Sequence, residues 1–354
     1  VLYFIHIKAT NNSIKRMNKP KVAVVIVHWN RQNLLSQFLP SVTQSTYENL
    51  NIYIADNAST DESVAYVKEH FPTVRIVELA DNYGYAGGYN RALKFIEADY
   101  YVLLNNDIEV PSGWIEPVID YLEKNETVAA AQPKMLDYLH KNKFEYAGAS
   151  GGMMDFLGYA FCRGRLFDEL EEDNGQYDSI QQVFWATGAC LFIRSSAFHK
   201  AGGFDEHFFA HMEEIDLCWR LQLLGYQLAV IPQSHVFHLG GGTLSKMNAH
   251  KTFLNFRNNL IMLTKNLPIS TLLWLIPLRS FLDLLSSIHF LFKGQFQYSA
   301  AIHKAHAGYF FKLKKWTGLR SKNTKPMNEL TGLYHQSIVW QYFAKKKRSF
   351  DSLD

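Results

Sequence analysis

The run Val102 to Leu104 stops abruptly in Asn105-Asn106-Asp107, and that stop constrains this chain more than any other stretch. Preceded by Tyr100-Tyr101, the run reads as a buried strand. Carboxylate and amide oxygens gathered at the end of such a strand suit a hard divalent cation, which in turn can clamp a diphosphate. A polar turn with an Asx cap, leading to a helix near Pro111-Ser112, accounts for the same residues without any ligand. The rest of the chain has to decide between the two.

The pattern recurs upstream. Val22 to Val27 is a second apolar run, ending in His28-Trp29-Asn30. Asn51 to Ala55 is a third, ending in Asp56-Asn57-Ala58-Ser59-Thr60-Asp61. Leu34, Leu35, Phe38, Leu39 and Val42 fall at helical spacing between them, and Val64, Val67 and Phe71 do the same before a strand at Val74 to Leu79. Residues 82–90, NYGYAGGYN, open the helix that returns the chain to Tyr100. Strands alternating with helices at this spacing predict an α/β fold with a mostly parallel sheet flanked by helices. Ligands of such sheets sit outside the carboxyl ends of the strands, where all the polar clusters fall.

Beyond residue 137 the pattern is less regular. Gly148 to Gly158 is glycine-rich, and Asp168 to Asp173 (DELEED) reads as a solvated acidic loop. Val183 to Arg194 reads as one further strand, and Glu213 to Leu224 as a helix. Cys162, Cys190 and Cys218 are far apart with no metal-ligand spacing, which predicts small core residues in a reducing compartment. The first seven residues are too short for a signal peptide. Residues 1–19 read as a leader, with Met17 as the natural start.

Charge divides the chain. Residues 1–245 hold 19 Lys and Arg against 29 Asp and Glu, whereas residues 246–354 hold 17 against 4. The expected organisation is a catalytic domain over 20–245 and a basic, amphipathic helical appendage over 246–354. Within the latter, Leu278, Phe281, Leu282, Leu285, Ile288 and Phe292 share one helical face, and Arg279, Asp283, Ser286 and Lys293 share another. Pro268 and Pro277 divide the apolar region, so a clean membrane span is not expected. A helix lying in a membrane interface suits the pattern better, with peripheral membrane contact through 260–348. Packing on the domain or on a second copy, as a homo-oligomer, is the plainer alternative. No nucleic-acid partner is expected, because the lysines sit among apolar helices.

Two more clusters bear chemistry. His211-Met212-Glu213-Glu214-Ile215-Asp216 puts three carboxylates within four residues at a helix start. Their mutual repulsion needs a cation, a helix N-terminus or a function to offset it. Glu213 and Glu214 point in different directions on the first turn, so one can serve as a general base while the other anchors. Ser234 to His238 places His235 and Phe237 on one side of a short strand, with His238 at its end.

Together these segments resemble the family 2 glycosyltransferases of the GT-A fold, most closely the bacterial rhamnosyltransferase-like members. The matching pieces are VVIVHWN (24–30), DNASTD (56–61), NYGYAGGYN (82–90), LLNNDI (103–108), TGACLFIR (187–194), residues 202–226 and FHLGGGT (237–243), in the family's order. The resemblance implies an inverting transfer of a sugar, rhamnose by likeness, from a nucleoside-diphosphate donor (dTDP- or UDP-linked) to a hydroxyl of a cell-surface glycan or lipid-linked acceptor. It implies an enzyme using Mn²⁺ or Mg²⁺; the cysteines and the apolar, basic tail predict a cytoplasmic location, peripheral on the inner face of the membrane. Asp56 matches the carboxylate that reads the pyrimidine base. Asn105-Asn106-Asp107 matches the metal-binding DXD motif with only its last position acidic, so Asp107 is the implied metal ligand, and His238 the histidine that completes the site in some relatives. Glu214 stands where the family carries its catalytic base as Asp, displaced by about 1.5 Å, one carbon–carbon bond; Glu213 and Asp216 are the other candidates. His28, Asn30, Asn57, Asn82, Gly84, Gly87, Gly88, Asn90, Asn105 and Asn106 fall on the donor side, and Trp185 and Gly188 on the acceptor side.

Other readings fit less well. A sugar-phosphate nucleotidyltransferase needs a glycine-rich, arginine-containing loop after the first strand, where this chain has HWNRQNLL. A processive polysaccharide synthase needs several membrane spans and a QxxRW motif. A non-catalytic nucleotide-sugar-binding protein of the same fold stays open, given Glu for Asp and a single acid in the DXD motif.

Overall fold

A computed structural model describes residues 19–240 and 248–353. The leader, the Met17 start and the Gly241 to Thr243 part of FHLGGGT lie outside these residues. The first half alternates as its periodicity predicts: β1 (Val22–His28), α1 (Gln32–Thr43), β2 (Leu50–Asp56), α2 (Ser63–His70), β3 (Arg75–Glu78), α3 (Gly84–Ala92) and β4 (Tyr100–Leu104). There follow β5 (Ile108–Glu109), α4 (Glu116–Lys124), β6 (Val128–Asp137), and four short strands, β7 (Gly152–Asp155), β8 (Ala160–Cys162), β9 (Arg165–Leu166) and β10 (Glu169–Leu170). The chain continues through β11 (Gln181–Gln182), β12 (Cys190–Arg194), α5 (Ser195–Lys200), α6 (Glu213–Leu223) and β13 (Gln227–His238). It ends in α7 (Ala249–Asn266), α8 (Ile269–Phe292), α9 (Phe296–Phe310), α10 (Leu313–Gly318) and β14 (Leu333–Tyr334).

The main sheet runs β11-β13-β6-β12-β4-β1-β2-β3, with β5 paired to β13. It is mixed. Strands β1 to β4 pair in parallel, as does β13 with β6, but β12 runs antiparallel between β4 and β6. β1 explains why the sheet is buried on both faces: all but one of its residues are buried, and they alternate between two cores. Ala23 and Val25 face a core containing Tyr89 and Trp219. Val22, Val24 and Ile26 face another, with Leu35, Leu39 and Trp114. The parallel register sets His28 beside Asp56, and β4 lies on the other side of β1. Three polar clusters far apart in sequence thus reach one rim.

Several expectations are corrected. Val183 to Arg194 is not one strand: only Cys190–Arg194 pairs regularly, and 183–189 is a buried loop. Its backbone is claimed by other partners, Val183 N donating to Leu228 O, Thr187 N to Gln132 Oε1 and Ala186 N to Cys218 Sγ. Residues 137–182 contain most of a second sheet, ordered β10-β9-β8-β7-β14, of strands too short to show a period. DELEED is not simply solvated: Glu169–Leu170 forms β10, and Asp173 pairs with the buried Lys134 at 2.7 Å. Pro277 lies inside α8 and does not divide it. The three cysteines are buried and free, as expected.

Candidate active site

At the end of β1, His28 is buried between two polar partners. Its Nδ1 lies 2.9 Å from Asn106 Nδ2 and its Nε2 2.9 Å from Ser63 Oγ. Burial pushes its pKa down to about 4, against the pull of Asp56 and Asp61, so the ring is neutral at neutral pH. The loop after β2 is tied to the same rim. Asn30 N donates to Ser59 Oγ at 2.9 Å, and Asn30 Oδ1 accepts from Thr60 N at 2.8 Å. Asp56 is buried; its Oδ2 accepts from Ser59 N at 3.1 Å, while Oδ1 is buried with no protein partner. A buried carboxylate oxygen left open costs stability unless a ligand supplies the missing donor.

Asn57 and Asn82 lock the entry to α3. Asn57 Nδ2 donates to Asn82 Oδ1 at 3.1 Å and to Gly84 O at 3.0 Å, and Asn57 Oδ1 accepts from Tyr83 N at 3.1 Å. Gly84 has a φ of +67° and lies against Phe209, which explains the glycine. Gly87 and Gly88 are buried on α3, where Gly88 faces Val27 and Asn57. Asn90 spends both ends of its amide on the Phe204 backbone, at 2.8 and 2.9 Å.

Asp107 and His238 meet from different elements, as β5 pairs with the end of β13. His238 Nε2 is 3.1 Å from Asp107 Oδ1, and its Nδ1 is 3.2 Å from Glu145 Oε2. Burial opposes a charge on this ring, but Glu145 and Asp107 hold it positive and push its pKa up to about 10. Asn105 Nδ2 stands 3.5 Å from the same Nε2. The Asp107 carboxylate suits Mn²⁺ or Mg²⁺; His238, held here as a cation by its two carboxylates, must give up its Nε2 proton before that nitrogen can join as a ligand, with Glu145 on Nδ1 as the outer support. Among the described residues no three His, Cys, Asp or Glu form a metal-binding group by themselves. The donor set therefore fits a cation completed by phosphate oxygens and water. Glu145 is a residue that the sequence did not reveal, since it stands in the segment without a period.

A second group of acids opens α6. Glu213 is buried, and one carboxylate oxygen of each of Glu213 and Glu214 is buried without a partner. Burial raises the pKa of both, and for Glu213 the charge of Glu214 adds to it. A Cβ on Gly188 would sit 3.4 Å from Glu214 Cβ and 2.8 Å from the Tyr85 hydroxyl, which itself donates to Gly188 O at 2.6 Å. Asp216 differs from its neighbours. It is fully buried and saturated by Lys265 Nζ at 2.9 Å, Arg220 Nε at 2.8 Å and Asn266 Nδ2 at 2.9 Å. Trp185 is turned inward, its indole donating to Met153 O at 3.0 Å.

The turn before α6 carries positive φ at Phe209, His211 and Met212, all non-glycine residues. Such backbone persists only when its surroundings hold it. Here Asn258 of α7 does so, its Nδ2 reaching Phe208 O, Ala210 O and His211 O at 3.0, 2.9 and 2.8 Å. Neither Asn258 nor Lys265 stands out in the sequence, because a contact across about 50 residues leaves no local period.

Residues 23–191 match the family described as Glycosyl transferase family 2. They form a glycosyltransferase family 2 domain. Over 233 residues the chain is 28% identical to the N-acetylglucosaminyl-diphospho-decaprenol L-rhamnosyltransferase of Mycobacterium tuberculosis, covering 61% of this chain and 75% of that one. It is 23% identical over 224 residues to the rhamnosyltransferase WbbL of Escherichia coli, covering 61% and 83%. Among solved structures, GalNAc-T7 with UDP, GalNAc and Mn²⁺ superposes with a TM-score of 0.57 at 15% identity, over 72% of this chain and 49% of the other. The glycosyltransferase fold is GT-A-like, and its chemistry is sugar transfer.

Proposed function

We propose that this glycosyltransferase is an inverting enzyme that moves a sugar, rhamnose by kinship, from a pyrimidine nucleoside diphosphate to a hydroxyl of a lipid-linked or cell-surface glycan. The observation that carries the reading is a set of buried acceptor oxygens left open. Asp56 Oδ1 is one, and one carboxylate oxygen each of Glu213 and Glu214 are others. Asp56 accepts the N3–H of the base, with Asn30, Asn57 and Asn82 shaping the loop around it. His28 holds Asn106 in place. Asp107, with His238 once its Nε2 is deprotonated, would hold a divalent cation, Glu145 would orient the imidazole, and the cation would supply positive charge to the departing diphosphate.

Glu214 takes the acceptor proton as the hydroxyl oxygen bonds to the anomeric carbon. The bond from that carbon to the phosphate oxygen breaks, and the nucleoside diphosphate departs with the electron pair. A burial-raised pKa suits a base that must hold the proton once taken. Glu213 shares the titration of the pair, and Asp216 anchors α6 through Lys265. Gly188 and Tyr85 border the base, while Asn90 and Trp185 fix the loops behind it. Kinship with a decaprenol-linked rhamnosyltransferase supports the lipid-linked acceptor.

The test is a binding and hydrolysis screen against dTDP-, UDP- and GDP-sugars, with and without Mn²⁺, beside Asp107→Ala. Metal-dependent binding of one pyrimidine donor, lost in the variant, is the expected result. Binding without hydrolysis or transfer to any acceptor would point to a nucleotide-sugar-binding protein instead.

A further inference from the structure

Helix α8 is built inside out. Its two charged residues and one of its serines face the protein: Arg279, Asp283 and Ser287 are buried. The Arg279 guanidinium lies 3.6 Å over the Tyr159 ring and donates to Leu157 O at 2.9 Å. Asp283 meets His306 Nε2 at 3.0 Å, and Ser287 meets Ser299 at 2.7 Å. The outward face is apolar, and its exposed residues include Leu273 (74%), Trp274 (47%), Phe281 (56%), Leu285 and Phe292. On α9, which packs against α8, Phe296 and Phe310 are exposed as well, and Phe311 just after it is almost fully exposed. A helix facing water has the reverse arrangement, and a patch of this extent marks a surface made to meet something apolar.

Charge identifies what it meets. Between residues 269 and 325 the chain carries nine Lys and Arg and one acid, Asp283, which is buried. Lys293, Lys304, Lys312, Lys314 and Lys315, at the end of α8 and on the α9–α10 segment that follows it, are all exposed. Two copies related by a two-fold axis would set this lysine fringe against itself. An anionic lipid leaflet neutralises it. The 24 residues of α8 are long and apolar enough to cross a bilayer. The buried contacts of Arg279, Asp283 and Ser287 instead commit one side of the helix to the fold.

We propose that the exposed face of α8, extended by Phe310 and Phe311, lies in the interface of an anionic membrane with its lysine fringe on the headgroups. This goes beyond the transfer reaction and needs no donor. The experiment is flotation of the full chain with vesicles of phosphatidylcholine, alone or mixed with phosphatidylglycerol. The chain is expected to float with the anionic vesicles, less at high salt and less with neutral ones, with a blue shift in tryptophan emission that Trp274→Phe reduces. Leu273→Glu with Phe281→Glu abolishes flotation while leaving the melting temperature in place, since both side chains are exposed. Changing Lys312, Lys314 and Lys315 to Gln lowers partition about fivefold per lysine. Absence of flotation with either vesicle overturns the proposal. So does a dimer in light scattering that Phe281→Glu converts to monomer without any vesicle binding, which would assign the face to a second copy.

Discussion

At the carboxyl ends of β1, β2 and β4, polar side chains crown an apolar sheet, and Asp56 Oδ1 there, like one oxygen each of Glu213 and Glu214 at the start of α6, is buried without a partner. In the layer of α7, α8 and α9, Lys265 is answered by Asp205 and Asp216, while Asp283 meets His306 with one oxygen and keeps the other without a hydrogen bond, 3.8 Å from Arg279 Nη2. Both regions bury charge, and the difference lies in how completely it is answered. A carboxylate left open at a strand end is poised for a ligand, whereas one answered from several sides holds helices together. Position relative to the sheet rim, and the count of partners, separate chemistry from architecture here.

The comparison can be broken experimentally. Asp107→Ala is expected to lose roughly 5 kcal/mol of transition-state stabilisation, between three and four orders of magnitude in rate, and to lower the melting temperature as well, since His238 loses one of its two buried carboxylate partners. Unchanged transfer by a variant that remains folded would make Asp107 architectural only. Glu214→Gln should slow transfer about a thousandfold while donor binding persists. In the parent enzyme the rate should fall as pH drops through an apparent pKa above the ordinary glutamate value, because burial raises both carboxyl groups. Equal loss in Glu213→Gln but not Glu214→Gln would exchange their roles.

On the architectural side, Lys265→Met removes the cation that Asp216 and Asp205 share and should cost about 3 kcal/mol in denaturant unfolding. Acid should weaken the same joint. Although burial works against the charge, Lys265 and His207 pull the Asp205 pKa down to about 2. The folded value is below the unfolded one, so this stabilisation is present above pH 4 and lost as pH falls toward 2. It amounts to roughly 2 kcal/mol, readable as a melting temperature that declines over that window and declines less in Lys265→Met. Smallest of all, Leu273→Ser should change stability in water by no more than about 0.5 kcal/mol, since that side chain is exposed.

The strand-end half was legible because its signals are local. VAVVIV, NIYIA and VLLNND each carry their own period and their own stop, and parallel pairing brings those stops together without long-range information. Glu145, Asn258 and Lys265 were not legible, since each acts across a separation that no window spans. The strand expected over 183–194 failed for a related reason: apolar content reports burial, and a buried loop with its own backbone partners has the same composition. In α8 the two faces were readable and their direction was not. Periodicity shows that Phe281 and Asp283 diverge, but only the position of α9 and the β7–β8 hairpin shows which of them turns inward.

The grip of Asn258 on the turn before α6 bears on how such an enzyme can be cut and recombined. A composition shift near residue 245 invites a division into a catalytic piece and an exchangeable tail. Yet the one amide that reaches Phe208, Ala210 and His211 comes from beyond that line. A truncated or chimeric version keeps the nucleotide side of the cleft and forfeits the register of the base. Any transplant of specificity has to carry α7 with it, or supply another group able to hold three carbonyls at once.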